Sequence, residues 1–105
     1  MPTEIYQNFE WDSEKRTSNI MKHGFDFVDA IAMFDGIIMD KVFERYVNYE
    51  GRCLAIGCVK AVVVAVVYTN RIGNRRIISM RKARDYEREY YIEFLTRIQN
   101  RLGQN

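Results

Sequence analysis

Histidine occurs once in this 105-residue chain, at position 23, and cysteine only twice, at positions 53 and 58. One imidazole and two thiols five residues apart make neither a CxxC pair nor any Cys/His metal spacing, so no metal ion and no other cofactor is expected. In an extended run the two cysteines lie on opposite faces and roughly 16 Å apart at ~3.3 Å per residue, too far to bridge. They read as core thiols of a cytoplasmic protein, and the N-terminus shows no signal-peptide pattern. A membrane-length apolar run is also missing. The longest, Cys53 to Thr69, contains Gly57 and Lys60 and falls short of the ~20 residues a spanning helix needs. Its valines favour strands, so two strands with a turn near Cys58–Ala61 fit it, and no membrane partner is expected. Repeats, linkers and low-complexity tracts are absent, and residues 1–105 read as one domain.

Charge is present but unevenly placed. The formal net charge is +2, yet residues 1–50 hold five Lys and Arg against ten Asp and Glu, and residues 71–105 hold nine against four. A basic back half suits nucleic acid, and an acidic front half suits a basic partner.

Taken in order, residues 4–10 alternate and predict an opening strand. Asp12 is placed to cap a helix over residues 13–23, which Lys22-His23-Gly24 would end, cations in the last turn and glycine beyond it. Asp26 caps a second helix over 27–34, whose Phe27, Ala30, Ile31 and Phe34 form an apolar stripe. Strands are predicted at Ile37–Val42, Arg52–Gly57, Val62–Tyr68 and Arg75–Met80, with a polar connection through Arg45 and Tyr49. Val62–Val67, apolar on both faces, should be central. Tyr91, Leu95, Ile98 and Leu102 recur at helical spacing in a closing helix from about Lys82 to Leu102. The expected architecture is α+β in the order βααββββα, helices against an antiparallel sheet.

The densest chemistry lies in Arg75 to Glu87. A short strand around Ile77-Ile78 delivers Arg76, Arg81, Lys82 and Arg84 to its exit, with Glu87 one helical turn further on. Such a run is suited to holding a phosphate, though a solvated basic turn would look the same.

Several stretches together resemble a known family. Phe9-Glu10-Trp11-Asp12 is followed by Lys15 and Asn19, then Lys22-His23-Gly24, then Phe27, Ala30, Phe34 and Asp35. Downstream come Glu50, Arg52, Ile56-Gly57, a Val-rich strand ending Tyr68-Thr69, and Arg76-Ile77-Ile78-Ser79 with Arg81, Ala83, Glu87 and Tyr91. In this order and spacing, over roughly residues 8–91, the chain resembles the BrnT toxins. The resemblance implies a RelE-like ribonuclease toxin of a type II toxin–antitoxin system that arrests translation by cutting RNA. It also implies a BrnA-like ribbon-helix-helix antitoxin, two copies of each chain in the complex, and contact with operator DNA through the antitoxin. The chain departs from the family pattern at Arg84, where Thr or Ser is usual, at Met80, where a small residue is usual, and in residues 92–105, which run beyond the typical end. Those departures keep open a second reading, a non-catalytic toxin-like protein that binds an antitoxin and tunes repression.

RNA brings its own nucleophile, the ribose 2′-OH. Cutting it without a metal needs a base, an acid for the 5′ leaving oxygen, and cations for the phosphorane. Arg52, Arg76 and Arg81 are the candidate phosphate ligands. In an unbroken strand Arg76 and Arg81 point to opposite faces, so they can converge only if the chain turns or bulges after Ser79. His23 is the one side chain whose unperturbed pKa, about 6.5, suits acid–base work near neutrality, but a helix C-terminus favours histidine for its charge alone. Glu87 is the other acid–base candidate, or an acceptor for first-turn amides. Lys22, Lys82, Arg84 and Tyr90 are expected to contact RNA, the tyrosine by stacking on a base.

Overall fold

Two strands, not one, open the chain. Gln7 adopts a left-handed φ of 55° and with Asn8 forms the two-residue turn between β1 (Thr3–Tyr6) and β2 (Phe9–Asp12). The alternation over residues 4–10 conceals this turn, because polar residues at 7 and 8 fit a turn and a strand equally well. The computed structural model describes residues 2–42 and 51–103; Arg45, Tyr49 and Glu50 lie outside the described residues. After β2 come α1 (Ser13–His23), α2 (Val28–Asp35), β3 (Met39–Val42), β4 (Cys53–Val59), β5 (Val62–Arg71), β6 (Asn74–Lys82) and α3 (Asp85–Leu102).

The fold is α+β, and its six-stranded sheet is ordered β1-β2-β6-β5-β4-β3. It is mixed rather than antiparallel, since β2 runs parallel to β6 through Phe9↔Arg75 and Glu10↔Arg76. This corrects both the antiparallel sheet and the order βααββββα. A contact between β2 and β6 spans more than sixty positions and leaves no local mark that a reading of periodicity can detect. The hairpins β4–β5 and β5–β6 are antiparallel as expected, and β5 is an inner strand. Val64, Val66 and Tyr68 face the cluster under α1 and α2, and Ala65 faces the one under α3.

The two N-terminal helices match their sequence signals closely. Asp12 accepts from the amides of Glu14 at 2.8 Å and Lys15 at 3.3 Å, and Gly24 closes α1 at φ 75°. The second helix begins one residue later than expected, with Phe27 rather than Asp26 at its N-cap. Asp26, just before it, accepts from the Val28 amide at 3.2 Å, and its carboxylate also takes Arg16, which bridges to Glu4. Trp11 is an anchor, buried edge-on to Phe27 with its indole N–H donated to Glu4. Along α2 the deepest residues are Phe27, Ala30 and Met33. Met33 sits where a Cβ on Gly57 would come within 2.6 Å of its Cγ, so glycine is what lets α2 approach β4. The C-terminal helix starts at Asp85, later than expected, because β6 runs on to Lys82. Tyr91 is buried, but Leu102 is 77% exposed, so the apolar spacing outlasts the sheet it packs on.

The decisive irregularity is in β6. Tyr68 faces Ile77 but Val67 faces Ser79, so Ile78 is an extra residue, a β-bulge that reverses side-chain parity beyond it. Ile77 and Met80 consequently enter the same core cluster although three positions apart. Past Glu10, β2 has left β6, and α1 covers the exposed strand edge. The Asn19 side-chain amide replaces the missing strand there, accepting from the Met80 amide at 3.0 Å and donating to the Met80 carbonyl at 2.7 Å. It also donates to the Phe25 carbonyl at 3.0 Å. Asn19→Ala orphans buried groups at ~1–3 kcal/mol each, so a loss on the order of 3 kcal/mol is expected in chemical denaturation. A loss under 1 kcal/mol would contradict this role for Asn19.

Candidate active site

Because of the Ile78 bulge, Arg76, Ser79 and Arg81 face the same side of the sheet, opposite Thr69, Val67 and Ala65 respectively. This is the side on which α3 packs. The parity obstacle seen in the sequence is thus removed, one residue earlier than the position where a turn was sought. Arg76 and Arg81 are then about four strand steps apart, roughly 13 Å at ~3.3 Å per step, with Ser79 between them. Continuing the β4–β5 register by one residue from Cys53↔Tyr68 sets Arg52 beside Thr69. Thr69, Arg76 and Glu10 form one row across three strands. Thr69 is 1% exposed, and its hydroxyl meets no hydrogen-bond partner among the described residues.

Arg76 and Arg81 are each held by a carboxylate. Arg76 donates to Glu10 Oε2 at 2.5 Å, while the other oxygen of Glu10 accepts from Asn74 at 3.3 Å. Arg81 forms a fork on Glu87 at 2.7 and 3.0 Å, the planar geometry in which arginine binds carboxylate and phosphate best. Glu87 also accepts from the Arg84 amide at 2.7 Å. That is half of a capping box, and it survives the departure at Arg84 because it uses the backbone; a guanidinium has no acceptor to supply the other half. Burial pushes the Glu87 carboxyl up, but the Arg81 fork, the Arg84 amide and both positive charges outweigh it and hold the group below its usual value of 4.5.

His23 and Lys22 are exposed in the last turn of α1. With Lys15 they line one wall of a 240 Å³ cleft whose other wall is Ile78 and Ser79. They thus reach the candidate site from the open edge of β6. Arg84 sits at the start of α3 beside Glu87. Tyr90 is 60% exposed and meets Tyr86 edge-on, whereas Tyr91 is buried with its hydroxyl on the Ile37 carbonyl and is structural. Lys82 is opposite Val64 and so points to the other side of the sheet. Met80 is fully buried on that other side too, away from Arg76 and Arg81. Reading the sequence missed Glu10 and Ser79 as site residues. Both lie within the family-like motifs, but only the parallel β2–β6 pairing and the bulge bring them to the arginines. No group of three or more His, Cys, Asp or Glu suited to a metal occurs among the described residues, and none of their helices is long and apolar enough to cross a membrane.

A carboxyl whose folded pKa is depressed stabilises the fold fully above its unfolded value, and that contribution is lost as pH falls through the folded value. Wild type should therefore lose, below about pH 4.5, a component of stability that Glu87→Gln lacks. Denaturation midpoints measured from pH 7 down to pH 3 check this; parallel curves for the two proteins would contradict it. Arg81→Ala, which leaves Glu87 buried without its cation, should cost about 3–5 kcal/mol.

Compared with known proteins, the chain matches the family model described as ribonuclease toxin, BrnT, of type II toxin–antitoxin system, over residues 11–87. No curated protein matches it. The matched span runs from Trp11 to Glu87, enclosing β6 with Arg76 and Arg81 and ending on the carboxylate that holds Arg81. The chain belongs to the BrnT family of type II toxin–antitoxin ribonuclease toxins.

Proposed function

We propose that the chain is an endoribonuclease that needs no metal, cutting RNA on the α3 side of the sheet by attack of the ribose 2′-OH on the adjacent phosphate. The observation that carries this reading is the shared face of Arg76, Ser79 and Arg81. The phosphate is taken to seat over Ser79. Arg76 and Arg81 exchange part of their carboxylate contacts for its oxygens and stabilise the charge that builds on the phosphorane. Glu10 and Glu87 hold the two guanidiniums in place, and a carboxyl with a depressed pKa such as Glu87 serves better as an anchor than as a base near neutrality. Proton transfer is assigned to His23, at the rim by Ser79. Lys22, Arg52 and Arg84 hold the flanking backbone, and Tyr90 offers a stacking surface. The products are a 2′,3′-cyclic phosphate, or a 3′-phosphate, and a 5′-hydroxyl. Lys82, on the other side of the sheet, is left with a role in approach of RNA only.

Membership of the family implies an antitoxin partner. We take it to be a BrnA-like ribbon-helix-helix protein in a 2:2 complex that reaches operator DNA through the antitoxin. The RelE-like character of the fold belongs to the same reading. One observation favours the non-catalytic co-repressor: Arg76 and Arg81 are already closed on carboxylates. Against it, Met80 faces away from the site and the Arg84 departure leaves the Glu87 contact intact.

Purified chain should cut RNA in the presence of EDTA. Arg76→Ala should lower the rate on the order of a hundredfold, as removal of one transition-state donor does, and Arg76→Lys should restore little where the contact is bidentate. His23→Ala should lose ~10²-fold and flatten the pH–rate profile if the imidazole moves a proton. A strict requirement for Mg²⁺, or full toxicity of Arg76→Ala, overturns the mechanism. A chain that neither cuts RNA nor arrests growth, yet still binds its antitoxin, is the co-repressor.

A further inference from the structure

Beside Arg76, at one end of the sheet, lies a second polar feature. Both β2 and β6 begin after a two-residue turn, Gln7–Asn8 and Ile72–Gly73. Because the two strands run parallel, the turns project from the same end of the sheet, and the Arg75 amide ties them together by donating to the Asn8 carbonyl at 2.8 Å. Between them is a 270 Å³ cavity lined by Asn8, Asn70, Arg71, Gly73, Asn74 and Arg75. Every side chain in that lining is an amide or a guanidinium. The Arg75 guanidinium is not loose: it lies over the Phe34 ring at 4.3 Å, with the Tyr68 ring at 5.8 Å. Asn74 donates to Glu10, and the other oxygen of Glu10 holds Arg76. The cavity and the cation assigned to the scissile phosphate therefore share one carboxylate.

We propose that this cavity is a nucleotide subsite, taking the base and sugar of a single-stranded RNA residue that flanks the cleaved bond. The inference rests on the ribonuclease reading above and deepens it by naming where the substrate's neighbouring nucleotide goes. Amides and guanidiniums are the side chains that pair with base edges in two-point contacts. A base must be unstacked to be read this way, which single-stranded RNA permits. The volume lies just under the ~300 Å³ at which drug-sized pockets begin, room for one nucleotide and not for a protein segment. A bare phosphate would need the arginines but not three asparagines. Adjacency through Glu10 makes occupancy of the cavity favour, and be favoured by, correct placement of Arg76.

The test compares a dinucleotide substrate with a pentanucleotide carrying the same cleavable step, on wild type, Asn70→Ala/Arg71→Ala, Asn8→Ala and Lys60→Ala. Lys60 is in the β4–β5 turn at the other end of the sheet and controls for loss of general positive charge. Wild type should cut the pentanucleotide with a kcat/KM at least about tenfold above the dinucleotide, the size of one good base contact, and should prefer one base at the flanking position. The Asn70→Ala/Arg71→Ala and Asn8→Ala proteins should lose that advantage and that preference while cutting the dinucleotide at the wild-type rate, which also shows that they fold. Lys60→Ala should keep both. Retention of the length advantage by the cavity variants, or an equal loss in Lys60→Ala, overturns the subsite. Failure of wild type to cut either RNA overturns instead the ribonuclease reading on which it rests.

Discussion

One extra residue in one strand decides what this sheet can present. Were β6 regular, Arg81 would turn to the side covered by α1 and α2, and Met80 would be driven out of the core. The bulge at Ile78 keeps Ile77 and Met80 together in the core and returns Arg81 to the side of Arg76. A bulge needs a fixed partner beyond it, because the strand there has lost its β2 neighbour. Asn19 provides that partner through both hydrogen bonds to Met80. The same contact sets the position of α1, and with it the cleft that Lys22, His23 and Ser79 line. One side-chain amide thus couples the core, the strand edge and the rim of the site.

The electrostatic arrangement follows a single pattern repeated twice. A guanidinium on β6 is closed on a glutamate from a neighbouring element, Glu10 from β2 and Glu87 from α3. Both carboxylates are more buried than the arginines they hold, 13% against 20% and 4% against 23% of the side chain exposed. Each carboxylate thus lies on the inner side of its pair, with the arginine, itself largely buried, nearer the surface. Removing a cation leaves a buried negative charge, which is costly. The site is preorganised by the same contacts that hold the N-terminal hairpin and α3 to the sheet.

Much of this was legible in the sequence, for identifiable reasons. The Asp12 cap, the Gly24 stop, the valine-rich inner strand and the two core-facing helices depend on residues close in sequence, and they appear where local signals put them. The candidate arginines and Glu87 were legible because the basic run and the motif order mark them. What was not legible is long-range. The β1–β2 turn carries Gln7 rather than glycine at its left-handed position, so nothing announces it. The parallel β2–β6 pairing joins residues more than sixty positions apart, and so hides Glu10 as a site residue. The bulge has no glycine to mark it, and it reverses the face that Arg81 would have in an unbroken strand.

The central claim is that Arg76 and Arg81 form one phosphate-binding surface around Ser79. Guanidinium Nε–Hε resonances read it directly, in an NMR titration with an RNA whose 2′-OH at the cleavage position is replaced by hydrogen. Arg76 and Arg81 should shift together over the same range of RNA concentration, while Arg97, paired with Glu93 on the exposed face of α3, stays unchanged. Shifts confined to one of the two arginines, or a strongest response on the other side of the sheet around Lys82, would contradict it.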